Sequence, residues 1–134
     1  FKKMLTRMMG EKQAAAFYHK LLKEPFHIYH YQDLVPYFDL KESSIECYPC
    51  IMPNWDNSPR AGINSHIFVD ADPGIFRSHL RQAIQRVLPY PQEHQIIIVK
   101  SWNEWAEGNY LEPDLKFGHA FLDAIRDELE SCQD

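Results

Sequence analysis

Apolar residues recur along this chain with two periods, and the switches between them lay out its elements. Over residues 11–23, Ala14, Phe17, Tyr18 and Leu21 fall at i, i+3, i+4 and i+7, the spacing of an amphipathic helix that Pro25 stops. Phe26 to Tyr31 alternates aromatic residues with His and Ile, which reads as a short strand. Gln32 to Phe38 is ambiguous, with Pro36 inside it, and Glu46 to Met52 is a second strand. Asn54 to Asp70 reads as a long loop broken by Pro59 and Gly62. Asp72 then has the character of an N-cap, with Pro73 at the first helical position. Phe76, Leu80, Ala83, Ile84 and Val87 form the buried stripe of the helix that follows, and Pro89 and Pro91 end it. Gln95 to Lys100 contains Ile96-Ile97-Ile98-Val99, an apolar run without alternation that predicts a strand buried on both faces. Residues 101–117 are a second long loop, and Gly118 to Glu130 is a last helix with Phe121, Leu122, Ile125 and Leu129 inward. Acids near its C-terminus oppose the helix dipole, so its last turn is expected to fray.

Strands alternating with helices predict an α/β fold with a parallel sheet. A closed eight-stranded barrel takes about 250 residues. The 134 residues here supply two or three βα units in a single domain, residues 1–134. The expectation is therefore the C-terminal third to half of a (β/α)8 TIM-type barrel. Alone, such a piece leaves sheet edges unpaired, so the N-terminal half or self-association is expected to cover them.

Composition narrows the function classes. Hydrophobic content of 45% and charged content of 25% are those of an ordinary globular domain. A net charge of −5 argues against a surface that tracks nucleic-acid phosphates. No stretch has the length of a transmembrane helix, and Phe1-Lys2-Lys3-Met4 has no apolar segment behind it, so a cytoplasmic protein is expected. Three cysteines do not suggest a disulfide framework. Cys47 and Cys50 form a C-x-x-C, but no second pair or histidines at ligand spacing accompany it, and its surroundings read as a strand rather than a helix start. Core cysteines are the simpler reading, and no metal or other cofactor is expected.

Aromatics make up 13% of the chain, and several fall in the two long loops. In a parallel sheet both loops open on the rim where ligands collect. The first, Pro53-Asn54-Trp55-Asp56-Asn57-Ser58-Pro59-Arg60, offers Trp55 to stack on a sugar face, with Asp56, Asn57 and Arg60 to bond hydroxyls. The plainer alternative is that Asp56 pairs with Arg60 and caps the turn. The second loop holds Glu104 and Glu107, and paired carboxyl groups are what glycosidic chemistry needs. On a regular strand the two would face apart, so they converge only if the chain leaves strand geometry near Trp105, which Gly108 permits. Trp102, Asn103, Trp105 and Tyr110 complete the candidate sugar contacts, Tyr110 equally able to sit in the core. The alternative makes Glu104 a structural acid bonded to Arg60, with Glu107 solvated. His66 and His119 lie near the rim and read as surface or capping histidines, and Glu112-Pro113-Asp114 as a loop closure.

Trp102-Asn103-Glu104-Trp105-Ala106-Glu107-Gly108-Asn109-Tyr110-Leu111-Glu112-Pro113-Asp114, with Phe117-Gly118 following, resembles the C-terminal signature of the WbsX-like family. Its members come from lipopolysaccharide O-antigen and capsule loci, are often labelled glycosyltransferases, and are similar to glycoside hydrolase family 99 with its W-N-E-W-x-E-G pattern. Pro49 to Arg60 resembles a second hallmark, and with Pro73-x-x-Phe76 and the last helix the likeness covers most of residues 26–130. The resemblance implies a (β/α)8 barrel. By position it gives Glu104 the role of a base on the sugar 2-hydroxyl and Glu107 that of general acid/base at the glycosidic oxygen. Family 99 usually has histidine where this chain has Ala106, which favours the WbsX-like branch over endomannosidase specificity.

The resulting expectation is a metal-independent carbohydrate-active enzyme of bacterial surface-polysaccharide metabolism, acting on an oligosaccharide or a nucleotide- or lipid-linked sugar. Glu107 is expected to hold its proton among apolar neighbours. A non-catalytic carbohydrate-binding or structural part of such a barrel is the alternative.

Overall fold

The computed structural model describes residues 26–38 and 47–132. The helix expected over residues 11–23 lies outside them. Strand β1 (Phe26–His30) runs into helix α1 (Tyr31–Phe38), followed by β2 (Cys50–Ile51), a short helix α2 (Ser58–Ala61) and β3 (Ser65–Val69). Helix α3 (Pro73–Val87), β4 (Ile98–Val99), a hairpin of β5 (Asn103–Glu104) and β6 (Asn109–Tyr110), and α4 (Ala120–Glu130) complete the order. Among the described residues the strands form three two-stranded sheets, β1–β3 and β2–β4 parallel and β5–β6 antiparallel.

The expected elements stand with adjustments. Asp72 caps α3 by accepting the N–H groups of Gly74 at 2.8 Å and Ile75 at 3.3 Å, with Pro73 behind it. The predicted stripe of α3 is buried throughout and meets Ile51, Leu111 and Phe121 in the core. In α4 the inward positions are Phe121, Ala124 and Glu128, while Leu129 is 51% exposed. Glu128 goes inward because Arg77 and Arg81 meet it there, at 2.6 Å each. The ambiguous stretch is α1, whose Tyr31 and Val35 are buried; the Tyr31 hydroxyl donates to the Met52 carbonyl, and burial pushes its pKa up.

Three expectations are corrected. The loop over Asn54–Asp70 contains β3, whose five residues pair in register with β1 from Phe26↔Ser65 to His30↔Val69. Only Ile98 and Val99 of the aliphatic run form a strand, and it is not buried on both faces. Ile97 and Val99 pack on the core, whereas Ile96 is 43% and Ile98 50% exposed, because β4 has helices on one side only among the described residues. The cysteines Cys47, Cys50 and Cys132 are exposed rather than in the core; alternation along β2 turns Cys50 out as it turns Ile51 in.

β2 and β4 are parallel neighbours, Cys50 opposite Ile98 and Ile51 opposite Val99, so both long loops leave the same strand ends. The first then runs antiparallel beside β3, with the Phe68 N–H on the Trp55 carbonyl at 2.8 Å. This brings the C-terminal ends of β1 and β3 to the same site.

Candidate functional site

Two asparagines lock the loops together. Asn109 is fully buried, and its amide nitrogen donates to the carbonyls of Asn54 at 2.6 Å and Lys100 at 3.0 Å. Its side-chain oxygen accepts the Ser101 hydroxyl at 2.8 Å. Asn54 reciprocates: its side chain accepts the Tyr110 N–H at 2.9 Å and donates to the Tyr110 carbonyl at 3.3 Å. A buried amide is stable only when its groups are paired, and here three of the five bonds bridge the two loops while the other two tie Asn109 to Lys100 and Ser101. Beside this brace the Asp56 N–H donates to the Glu107 carbonyl at 2.9 Å. Gly108, at φ +52°, makes that approach possible, since a Cβ there would lie 2.9 Å from the Asp56 carbonyl oxygen. Sequence reasoning missed Asn109; its only signal is a polar residue next to the apolar Tyr110-Leu111.

Between the loops lies an open cleft of about 830 Å³, walled by Trp55, Phe68, Trp105, Tyr110 and Phe117, with Asp56, Asp70 and Asp114 at its edges. The Trp105 and Tyr110 rings stack with centroids 3.8 Å apart. The Trp105 indole N–H donates to Glu112 at 2.6 Å, and the Tyr110 hydroxyl to Asp114 at 3.0 Å. Partial burial, then the Asp114 carboxylate, raise the Tyr110 phenol above its ordinary pKa. The other Asp114 oxygen takes the N–H groups of Lys116 at 2.8 Å and Phe117 at 2.5 Å, closing the loop before α4. Asp56 accepts the Ser58 N–H at 2.9 Å and so turns the chain into α2 with one oxygen.

The chain does leave strand geometry at the acids. Glu104 ends β5, a 3-10 turn covers Trp105–Glu107, and Gly108 is left-handed. Glu107 is half-buried, 2.9 Å from Arg60 Nη1 and 3.7 Å from Lys100 Nζ; Lys100 also sits 4.8 Å from the Trp55 ring centre. Its neighbours are thus cations, not the apolar wall expected. Arg60 pairs with Glu107, and with neither Asp56 nor Glu104. Glu104 is half-buried and has no side-chain partner among the described residues.

Of the candidate contacts, Trp55, Asp56, Trp105 and Tyr110 line the cleft. Glu104, Glu107, Arg60, Asn57, Trp102 and Asn103 do not. The Asn57 side chain instead accepts the His66 N–H at 2.8 Å, and Trp102 and Asn103 face solvent. His66 stacks on His27 at 4.7 Å, and His119 precedes α4 without a side-chain cap bond. Among the described residues no three His, Cys, Asp or Glu side chains gather to hold a metal ion, and no helix is long and apolar enough to cross a membrane.

Comparison with known proteins matches these loops to a family. Residues 2–125 fit the family described as Glycosyltransferase WbsX. The chain is 41% identical over 88 residues to "Uncharacterized protein WxcX" of Xanthomonas campestris pathovar campestris strain B100, and equally so to the protein of that name in a second strain. The aligned stretch is 65% of this chain, and it spans 13% of the length of each of these curated relatives. No solved structure matches. Because the family match runs through both loops and the elements that carry them, the chain belongs to the WbsX glycosyltransferase family.

Proposed function

We propose that residues 1–134 are the C-terminal part of a (β/α)8 barrel that makes or breaks glycosidic bonds in bacterial surface-polysaccharide metabolism, including O-antigen and lipopolysaccharide assembly. The observation that carries the reading is the cleft where the loops after two parallel neighbours meet, walled by Trp55, Trp105 and Tyr110. Flat aromatic faces edged by carboxylates suit a pyranose, whose C–H face stacks while its hydroxyls donate outward. Glu104 and Glu107 are the catalytic pair in this reading, as the likeness to glycoside hydrolase family 99 implies. Glu107 serves the departing oxygen, oriented by Arg60 and Lys100; Glu104 acts on the sugar from β5. Two cations beside one carboxylate also suit a phosphate on a nucleotide- or lipid-linked donor, which favours transfer over hydrolysis. The remaining wall belongs to the rest of the longer protein.

A second reading, a carbohydrate-binding module without turnover, is favoured by one observation: neither glutamate lines the cleft. Glycan-array binding and sugar turnover by the full-length protein separate the two, measured for the wild type, Glu107→Gln and Trp55→Ala. The enzymatic reading expects Glu107→Gln to keep glycan binding and lose turnover by about 1,000-fold. Turnover unchanged in Glu107→Gln removes the assigned acid, and glycan binding without any wild-type turnover establishes the binding module.

A further inference from the structure

At the C-terminal ends of β1 and β3, next to the cleft, a histidine and an aspartate face each other. The register His30↔Val69 sets His30 beside the residue before Asp70, and His30 Nδ1 lies 2.7 Å from Asp70 Oδ2. A carboxylate can only accept, so the proton of this bond sits on Nδ1, and in the neutral imidazole the lone pair is then on Nε2. The two side chains are 61% and 71% exposed, which leaves Nε2 within reach of a ligand, and Asp70 itself lines the cleft.

The backbone singles out the same residue. Asp70 is the one non-glycine residue at positive φ among the described residues, at +57°. That conformation costs an L-residue roughly 1–2 kcal/mol. An aspartate there ordinarily recovers part of the cost by bonding its own backbone. Here the carboxylate makes no such bond and holds His30 instead. Glycine would serve the turn better, so the carboxylate has a use beyond it.

We propose that His30 is a catalytic base for the acceptor in glycosyl transfer, with Asp70 as its positioning residue. The proposal rests on the transfer reading above. His30 Nε2 takes the proton of an acceptor hydroxyl as that oxygen's electron pair forms the bond to the anomeric carbon. The bond from the anomeric carbon to the donor's phosphate oxygen breaks, and its electron pair departs with the phosphate, an anion that needs no proton and that the cations Arg60 and Lys100 suit. The imidazolium so formed keeps its Nδ1–H on Asp70 and loses its Nε2 proton to solvent.

Two measurements on the full-length protein test this. In 15N-histidine spectra, wild-type His30 should carry its proton on Nδ1, and Asp70→Asn should move the population toward the Nε2–H tautomer. A wild-type His30 already protonated on Nε2 overturns the dyad whether or not a substrate is known. For turnover, azide is a second acceptor that needs no deprotonation. His30→Ala should lose transfer to hydroxyl acceptors by about 100-fold while keeping transfer to azide. Equal loss with both acceptors, as misfolding or a structural role would give, overturns the base; so does undiminished transfer to hydroxyls. A wild type that transfers sugar to neither acceptor refutes glycosyl transfer itself, a failure distinct from one confined to the His30 variant.

Discussion

Asn54 and Asn109 clasp each other across 55 residues of chain: the Asn109 amide donates to the Asn54 carbonyl at 2.6 Å, while the Asn54 side chain takes both backbone groups of Tyr110. Asn109, fully buried, cannot act as a sugar ligand, yet with Asn54 it sets the separation of the walls that carry Trp55 and Trp105. The site is built on backbone-directed amides, and the aromatic platforms inherit their positions from them.

Asn109→Asp keeps the shape and removes both donors. The carbonyls of Asn54 and Lys100 then lose their partner in a dry place, against a new buried charge. Urea unfolding should show a loss of about 3 kcal/mol. A variant as stable as the wild type means that the loops are held some other way.

Gly108→Ala tests the closest approach. The substitution meets both a left-handed backbone and the Asp56 carbonyl oxygen at 2.9 Å, and backbone on both sides cannot give way cheaply. The expected cost is about 2–4 kcal/mol, beyond the 1–2 kcal/mol of the conformation alone, with reduced glycan affinity. A loss of no more than the roughly 1–2 kcal/mol of the left-handed conformation would show that the contact with Asp56 contributes nothing.

Local signals in the chain fixed α3 well, because Asp72, Pro73 and the 3.6-residue stripe all concern one element. β3 escaped because Pro59, Gly62 and the polar Ser65-His66 mask a strand-forming Ile67-Phe68-Val69 only three residues long, and the full strand is completed by pairing with β1, 39 residues earlier at each pair. Pro36 obscured α1, yet burial of Tyr31 and Val35 outweighs the one missing N–H. In the site, the types of residue were legible as aromatics and acids gathered at strand ends. Their partners were not: Glu107 meets Arg60 and His30 meets Asp70 only after the loops have closed. The expected kink past Trp105 followed from Gly108, but no spacing could say which way each carboxylate would then face.

Glu128 gives the fold a dependence on acid. Its hydrogen bonds first from Arg81 and then from Arg77 hold its pKa at about 2, against an ordinary 4.5, with the side chain 3% exposed. A lowered folded-state value means that the unfolded chain binds the proton more readily. The contribution is therefore whole above about pH 4.5 and is lost as pH falls toward about 2. Glu128→Gln should cost about 2–3 kcal/mol at neutral pH, the arginines being half exposed, and should flatten the stability curve over that window. Unfolding midpoints measured from pH 2 to 7 check both; parallel curves for variant and wild type would place the acid sensitivity elsewhere.

Trp105 distinguishes a sugar platform from a core residue. It is half exposed, stacks on Tyr110 and spends its N–H on Glu112, so its free face borders the cleft without being needed to fill the interior. Trp105→Ala should therefore cost stability by only about 1 kcal/mol, while weakening glycan binding roughly tenfold, the equivalent of about 1.4 kcal/mol of stacking. Trp105→Phe keeps a ring on Tyr110 and should recover most of the affinity, although the Glu112 bond is gone. Titration of a bound glycan and urea unfolding on the same three proteins separate the outcomes. If alanine unfolds the domain, the indole is core; if affinity is indifferent to the ring, the sugar lies elsewhere on the rim.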